Sequence, residues 1–225
     1  MVPYRLAAIP SRQAVSDTAA FAVRMRGRRS CRDFSSEPVP RELIVELIRA
    51  AHSAPSGANR QPWRFVAVDD PRLKREIRAA AEAEERESYD HRMPAEWREA
   101  LEPIGTDWHK PYLEIAPWLV VLFRVDVEEA GGRRLRSYYP NESCGIAAGL
   151  FLTACHLAGL ATLTHTPSPM NFLRDILRRP AGEKPFLLIP VGRPAPEATV
   201  PDLPRKALQE VLTFNLGNEG ASFAG

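Results

Sequence analysis

The stretch Arg28-Arg29-Ser30-Cys31-Arg32 carries three guanidinium groups and one hydroxyl within five residues. Planar guanidinium groups form bidentate hydrogen bonds to phosphate oxygens, with more geometric specificity than lysine ammonium groups. The stretch therefore suits a phosphate-bearing ligand. Taken alone, it is equally typical of a solvated basic turn that closes the helix before it. The choice between the two interpretations depends on whether other ligand-binding stretches follow in the chain.

The composition describes an ordinary soluble protein. Its 225 residues fit one large domain, and a hydrophobic fraction of 44% supports a real core. The net charge of +2 creates no general field for nucleic acid. Cys31, Cys144 and Cys155 are odd in number and lack C-x-x-C spacing, so neither a disulfide framework nor a zinc site is predicted. A stretch without formal charge, 145–163, carries too many polar groups for a membrane span and predicts a buried helix running into a strand.

Apolar periodicity predicts helices and strands along the whole chain. Helices are predicted over 14–27, from Pro38-Val39-Pro40 onward, and over 71–90, 141–157 and 171–178. Strands are predicted over 63–68, 117–123, 160–164 and 185–192, with a charged connection over 126–136. A long excursion with prolines and tryptophans follows the third helix, and such loops are often active-site lids. Together these elements predict an α/β or α+β layered domain.

Several catalytic motifs are missing from the sequence. There is no G-x-G-x-x-G after a strand, no G-x-x-x-x-G-K-[ST], no G-x-S-x-G, and no histidine pair with metal-ligand spacing. We therefore predict no metal site and no nucleophile supplied by the protein. A bound cofactor is the remaining source of chemistry.

Two further stretches have the character of ligand sites. Ser, Gly and Asn between two prolines make 54–63 a loop whose backbone can approach a ligand closely, although a plain connection would look similar. Glu85 and Tyr89 are four residues apart, so both can point from one helix face. The acidic run around them is also typical of a solvated helix face.

Taken together, the motifs resemble the nitroreductase superfamily of flavin mononucleotide (FMN) enzymes, and more closely its iodotyrosine deiodinase branch. The resemblance covers about 20–212, with its motifs in the same order and at matching spacing. It rests on Arg28-Arg29-Ser30-x-Arg32-x-Phe34, Ala54-Pro55-Ser56-Gly57-Ala58-x-x-Gln61-Pro62-Trp63, Glu82–Tyr89, Thr106-Asp107-Trp108-x-Lys110, Asn141-Glu142-Ser143-x-Gly145-Ile146-Ala147, Thr164-His165-Thr166-Pro167 and Pro201-Asp202-Leu203-x-Arg205-Lys206.

The resemblance implies an α+β, three-layer fold with a central, mostly antiparallel sheet flanked by helices. It also implies an intertwined homodimer with FMN at the subunit interface. The corresponding division of the chain is an N-terminal arm over 1–16, an FMN-binding domain over 17–213 with a lid over 82–110, and a tail over 214–225. The cofactor-binding positions implied are Arg28, Arg29, Ser30, Cys31, Arg32, Ser56, Gly57, Thr164, His165, Thr166 and Arg205.

Individual roles follow from the same resemblance. The Thr166 hydroxyl would donate to flavin N5 and is the candidate catalytic group, and Ser56 and Gly57 would come from the partner subunit. Glu85 would pair the α-ammonium of an amino-acid substrate and Lys110 its α-carboxylate. Two further candidates complete the substrate site, the Tyr89 side chain as a wall and the Ala58 N–H toward the phenolate. Cys31, inside the phosphate motif, is interpreted as a small buried residue rather than a redox group.

The sequence departs from the family pattern near the flavin, with His165 where a threonine is common and two extra residues at Ser168-Pro169. The leading hypothesis is FMN-dependent reductive dehalogenation of 3-iodotyrosine and other halotyrosines in the cytoplasm, with electrons from a reductase or a nicotinamide. One alternative is a general nitroreductase or quinone reductase using a nicotinamide. Another is a non-catalytic flavin or halotyrosine sensor.

Overall fold

The computed structural model describes residues 1–215. The predicted tail over 214–225 therefore lies almost entirely outside the described residues. The prediction that the chain forms an α+β domain with a central antiparallel sheet is confirmed. The sheet has the strand order β1 (Trp63–Val68), β2 (Trp118–Val125), β6 (Glu183–Gly192), β5 (Ala161–Thr162), and each neighbouring pair is antiparallel.

The sheet is covered by helices on both faces because its central strands are apolar on both sides. One side of β2 packs with α3 (Pro71–Glu87), α5 (Tyr112–Ile115) and α7 (Asn171–Ile176). The other side packs with α2 (Arg41–His52) and α6 (Pro140–Leu157). The three layers that the resemblance implied are therefore present.

Local sequence explains where the main helices begin. Pro40 precedes α2 and Pro71 is the first residue of α3, positions where the fixed φ of proline suits helix entry. The Asp70 side chain accepts hydrogen bonds from the N–H groups of Arg72 and Leu73, and so caps α3. The position of α3 matters for the candidate site because its last turns carry Glu85, one of the predicted substrate residues.

The segment after α3 is folded rather than an open loop. A π-helical turn over Ser88–Arg92 continues directly from α3, and α4 (Ala95–Leu101) and a short 3-10 turn (Glu102–Ile104) follow. Arg98 donates to the Tyr89 carbonyl, and Arg92 donates to both the carbonyl and the carboxylate of Glu84. These bonds hold the predicted lid against the end of α3.

The structure corrects two predicted elements. The stretch 126–136 is not a plain connection but a hairpin of β3 (Val127–Ala130) and β4 (Arg133–Arg136), with its turn at Gly131 and Gly132 in positive φ. The predicted strand over 160–164 is reduced to β5, and the described pairing that follows it is an isolated bridge between His165 and Leu188.

The N-terminal helix α1 (Ser11–Arg26) begins earlier than predicted, so the proposed boundary between 16 and 17 falls inside a helix. None of its residues is buried. Apolar side chains are also exposed on α6, where Ile146, Leu150 and Leu157 are 37–46% exposed. Within residues 1–215, no helix is both long enough and apolar enough to cross a membrane.

Candidate functional site

A cavity of about 400 Å³ lies between the end of α3, the folded segment after it, and the chain that follows β5. The predicted site residues that line it are Arg32, Glu85, Tyr89, Lys110, Thr164, His165 and Thr166. These residues come from four separate stretches of the sequence. The structure therefore brings together the predicted substrate residues, except Ala58, with the predicted flavin-ring residues.

The centre of this cavity is an ion pair between Glu85 and Lys110, whose Oε2 and Nζ atoms are 3.5 Å apart. Both side chains are largely buried, at 16% and 3% exposure. Burial raises the pKa of Glu85 although Lys110 opposes the shift, and burial lowers the pKa of Lys110 although Glu85 opposes that shift. Each charge is costly to bury alone, so the two groups depend on each other or on a ligand that replaces the partner.

Thr106 links Lys110 to Tyr89. The Tyr89 hydroxyl donates to the Thr106 carbonyl at 3.1 Å, and Lys110 Nζ lies 3.4 Å from the Thr106 hydroxyl. The lysine ammonium also donates to the Asp107 carbonyl. Tyr89 itself lies in the π-helical turn, and such irregular turns are frequent at functional sites. The three predicted substrate side chains thus belong to one hydrogen-bonded group.

His165 is buried between two polar groups. Its Nδ1 lies 3.5 Å from the Tyr112 hydroxyl, and its Nε2 lies 4.0 Å from Glu85 Oε1 with no hydrogen-bond partner among the described residues. Burial, with repulsion from Lys110 and Arg32, lowers the pKa of His165 to about 3. The imidazole is therefore neutral at physiological pH, so it does not compete as a cation with Lys110 for the Glu85 carboxylate.

Thr164 and Thr166 flank His165 and are exposed where His165 is buried. This alternation follows from the extended backbone around the His165–Leu188 bridge, which turns successive side chains to opposite sides. Both threonines therefore face the open space of the cavity. A hydroxyl at Thr166 is available to donate a hydrogen bond there.

A second cavity, of about 290 Å³, lies beside the first and contains the arginine cluster. Its lining includes Arg28, Arg29, Ser30, Arg32 and Arg205, and no described carboxylate lines it. Arg32 lines both cavities, so the basic cluster continues into the site that holds Glu85 and Lys110. The motif that contains Arg205 thus lies beside the motif that begins at Arg28.

The arginine cluster fits a phosphate group. Burial, followed by repulsion from Arg205 and Arg29, lowers the pKa of Arg28, which is the expected result for cations gathered without an anion. The buried Nε atom of Arg32 has no hydrogen-bond partner among the described residues. Arg205 donates to the carbonyls of Arg26 and Arg28 at 3.1 and 3.2 Å, and thereby fixes the turn. A dianionic phosphate would satisfy both the charge and the open donors.

Cys31 lies inside the motif but lines neither cavity. Its side chain is buried in the core, its N–H donates to the Thr162 carbonyl, and its thiol contacts the Asp33 carbonyl at 3.2 Å. Burial raises the pKa of the Cys31 thiol, which disfavours the reactive thiolate. The structure therefore places the Cys31 side chain in the core, as the interpretation of a small buried residue predicts.

The loop with Ser56, Gly57 and Ala58 lines neither cavity within this chain. Gly57 pairs with Tyr138, and a Cβ on Gly57 would lie 2.6 Å from the Tyr138 carbonyl oxygen, so only glycine fits. Ala58 has a φ of 49°, a strained conformation for a residue with a side chain. Strain of this kind is concentrated at functional sites.

Three contributors to the site were not predicted as site residues: Tyr112, Thr106 and Glu82. Tyr112 lies against His165 from the short helix α5, a contact that no local pattern indicates. Thr106 belongs to a quoted motif, in which Lys110 alone was assigned a role. Glu82 carried a usable signal, since it lies three residues before Glu85 on the same helix face.

Comparisons with known proteins agree with this geometry. Residues 25–193 match the family model described as the nitroreductase family. The iodotyrosine deiodinase of Haliscomenobacter hydrossis is 54% identical over 213 residues, which are 94% of this chain and 96% of that protein. Iodotyrosine deiodinase 1 of Homo sapiens is 42% identical over 213 residues, 94% of this chain and 74% of that protein.

Solved structures show the same architecture. The structure of oxidized iodotyrosine deiodinase bound to FMN and 3-iodo-L-tyrosine has a TM-score of 0.75 and 29% identity, and the match covers 83% of this chain and 95% of that chain. A BluB-like flavoprotein from Clostridium difficile shares the fold at a TM-score of 0.66, with 21% identity. The fold is that of a nitroreductase. The chain belongs to the nitroreductase family and, within it, to the iodotyrosine deiodinase branch.

Proposed function

We propose that the protein is a flavin-dependent oxidoreductase that removes iodide from 3-iodotyrosine, and halide from other halotyrosines, to leave tyrosine. The observation that carries the proposal is the buried Glu85–Lys110 pair in a cavity that continues into the arginine cluster. A substrate that bears both an ammonium and a carboxylate can pair with both residues, whereas a nitroarene or a quinone offers neither residue a charged partner.

FMN is the cofactor, held by its phosphate at Arg28, Arg29, Ser30, Arg32 and Arg205. When bound, FMN supplies the two electrons that, with one proton, replace the carbon–iodine bond by a carbon–hydrogen bond and release iodide. The other assigned positions are Ser56, Gly57, Thr164, His165, Thr166 and the backbone of Cys31. Thr166 would donate the hydrogen bond to the flavin ring, and its position on the cavity wall supports this role.

The protein's part in the reaction is to bind and orient the substrate. Glu85 pairs the α-ammonium and Lys110 the α-carboxylate, which exchanges the existing ion pair for two new ones without leaving either charge unpaired. Tyr89 closes one side of the site. Together these contacts fix the aromatic ring in one orientation, which lowers the entropic part of the barrier.

Two further features complete the proposed site. The segment 82–110 acts as a lid that excludes water from the ring, since the folded chain after α3 already lines the cavity. A homodimer brings Ala58 of one copy to the phenolate of a substrate bound to the other. The exposed apolar surfaces of α1 and α6 support such an assembly. A cytoplasmic location and electron supply by a reductase or a nicotinamide belong to the same proposal.

The test uses the purified FMN-bound chain, reduced under anaerobic conditions and mixed with 3-iodotyrosine in a stopped-flow instrument. We expect reoxidation of the flavin with release of one iodide per flavin. Binding without iodide release would instead favour a sensor. Rapid reoxidation by nitroaromatics, with none by 3-iodotyrosine, would overturn the proposal in favour of a general nitroreductase.

A further inference from the structure

The Glu82 side chain connects the beginning of the lid segment to the main chain at its end. Its Oε1 atom accepts a hydrogen bond of 2.7 Å from the backbone N–H of Lys110, 28 residues further along the chain. Lys110 is thus held at its backbone by Glu82 and at its ammonium by Glu85. Two carboxylates three residues apart on one face of α3 act on the same lysine.

Glu82 is itself held in place. Arg78, one helical turn earlier, donates from Nε to the same Oε1 atom at 2.7 Å, and also donates to Glu114 of α5 at 3.2 Å. The Glu82 side chain is 18% exposed. Burial would raise the pKa of Glu82, yet the hydrogen bonds from Arg78 and the Lys110 N–H outweigh it and lower that pKa. The carboxylate is therefore ionised and oriented before any ligand arrives.

The two carboxylates differ in what a ligand does to them. A zwitterion that enters the cavity competes for Glu85 with its ammonium and for Lys110 with its carboxylate, so the Glu85–Lys110 contact is lost. The hydrogen bond from the Lys110 backbone N–H to Glu82 involves neither the Lys110 ammonium nor the Glu85 carboxylate. It therefore remains intact when the zwitterion binds. Without it, the described polar contacts of Lys110 would be the one that the substrate disrupts, those with Thr106 and Asp107 in its own loop, and the hydrogen bond that its carbonyl accepts from the Leu113 N–H.

We propose that Glu82 is a positioning residue for amino-acid recognition, which fixes the main chain of Lys110 while the ammonium changes partner from Glu85 to the substrate carboxylate. This inference rests on the proposed function. It predicts that Glu82 acts on ligands with an amino-acid group and has no effect on ligands without one. Because Glu82 lines neither cavity, its effect passes through Lys110.

The experiment compares the FMN-bound wild-type chain with Glu82→Ala, Glu82→Gln and the control Glu76→Ala, which removes an exposed carboxylate from the same helix. Affinity is measured by quenching of flavin fluorescence with 3-iodotyrosine and with 2-iodophenol, which lacks the amino and carboxyl groups. The kcat and KM values for 3-iodotyrosine are measured on the same samples. Should Glu82→Ala fail to fold, Glu82→Asp, which withdraws the acceptor by one methylene, serves in the same comparison.

For Glu82→Ala we expect Kd and KM for 3-iodotyrosine to rise about 10-fold, with a smaller change in kcat and an unchanged affinity for 2-iodophenol. Glu82→Gln recovers most of the affinity because its amide oxygen still accepts from the Lys110 N–H. Equal losses for both ligands, or no loss for 3-iodotyrosine, would overturn the inference. A wild-type chain that binds 3-iodotyrosine no better than 2-iodophenol would overturn the proposed function itself, which the variants alone could not do.

Discussion

Lys110 Nζ lies 3.5 Å from Glu85 Oε2 inside a cavity, and the lysine side chain is only 3% exposed. Two buried groups of opposite charge at this distance can bind a molecule that carries the same two charges. Their separation in the sequence, 25 residues by the numbering, is bridged by the folded lid segment. Substitutions in this pair are therefore the most direct test of the proposed substrate.

Replacing Glu85 by glutamine removes the charge that pairs the α-ammonium and keeps the shape. We expect binding of 3-iodotyrosine to weaken by about 1–3 kcal/mol, the cost of a lost charged hydrogen bond. Binding of 2-iodophenol should change little, and Glu76→Gln on the same helix is the control. Titration of flavin fluorescence measures both ligands. A general nitroreductase would be indifferent to this change, so an unaltered affinity for 3-iodotyrosine would contradict the assignment.

Replacing Arg205 by lysine keeps a positive charge but removes the paired hydrogen bonds to the carbonyls of Arg26 and Arg28. We expect FMN to bind about 10-fold more weakly, with a smaller effect on riboflavin, which has no phosphate. Equilibrium dialysis with each flavin measures the difference. Arg193→Lys, which alters an exposed ion pair with Glu37, should leave both affinities unchanged. An equal loss for FMN and riboflavin would place Arg205 away from the phosphate.

The exposed apolar face of α6 provides a test of the proposed homodimer. A carboxylate at Ile146, between the exposed Leu150 and the start of the helix, would be buried without a partner if this face meets a second copy. We expect Ile146→Glu to shift the chain toward a monomer in light-scattering experiments and to release FMN. Ala79→Glu, on an exposed part of α3, should do neither. A stable dimer in Ile146→Glu would remove α6 from the interface.

Stability below neutral pH should depend on His165. The pKa of this buried imidazole falls from 6.5 to about 3 on folding, so between these values the unfolded chain binds more protons than the folded one. The contribution of His165 is fully present above about pH 6.5 and decreases by about 1.4 kcal/mol per pH unit as the pH falls toward 3. The raised pKa of Glu85 acts in the opposite direction, so the test is a difference between variants.

The variant for this test is His165→Thr, which removes the titrating group. We expect the free energy of unfolding, measured with urea between pH 7 and pH 4, to fall less steeply in the variant than in the wild type. His91, exposed in the π-helical turn, is the control position, and His91→Thr should preserve the wild-type slope. Parallel slopes for wild type and His165→Thr would show that the imidazole is not buried in its neutral form.

Much of the fold could be predicted from local patterns. The apolar runs at Trp63–Val68 and Trp118–Val125 are strands, and the helices were placed within a few residues. The hairpin over 126–136 was missed because its residues are charged and exposed and show no apolar strand pattern. The Gly131-Gly132 turn is as typical of a loop as of a hairpin. The strand after Leu160 was overestimated because its short pairing with β6 is decided by the partner strand, not by β-propensity.

By itself, the sequence determined the types of element, the family motifs and the residues that would carry charge, because periodicity and residue chemistry are local properties. The tertiary structure decided which of those residues meet. It placed Arg205 against the turn that begins at Arg28, paired Glu85 with Lys110, and tied Lys110 to Glu82. Contacts between residues far apart in the chain depend on how helices pack on the sheet, and no local pattern encodes them. For the same reason, only the folded chain brings Arg205 and the arginines of 28–32 around one cavity.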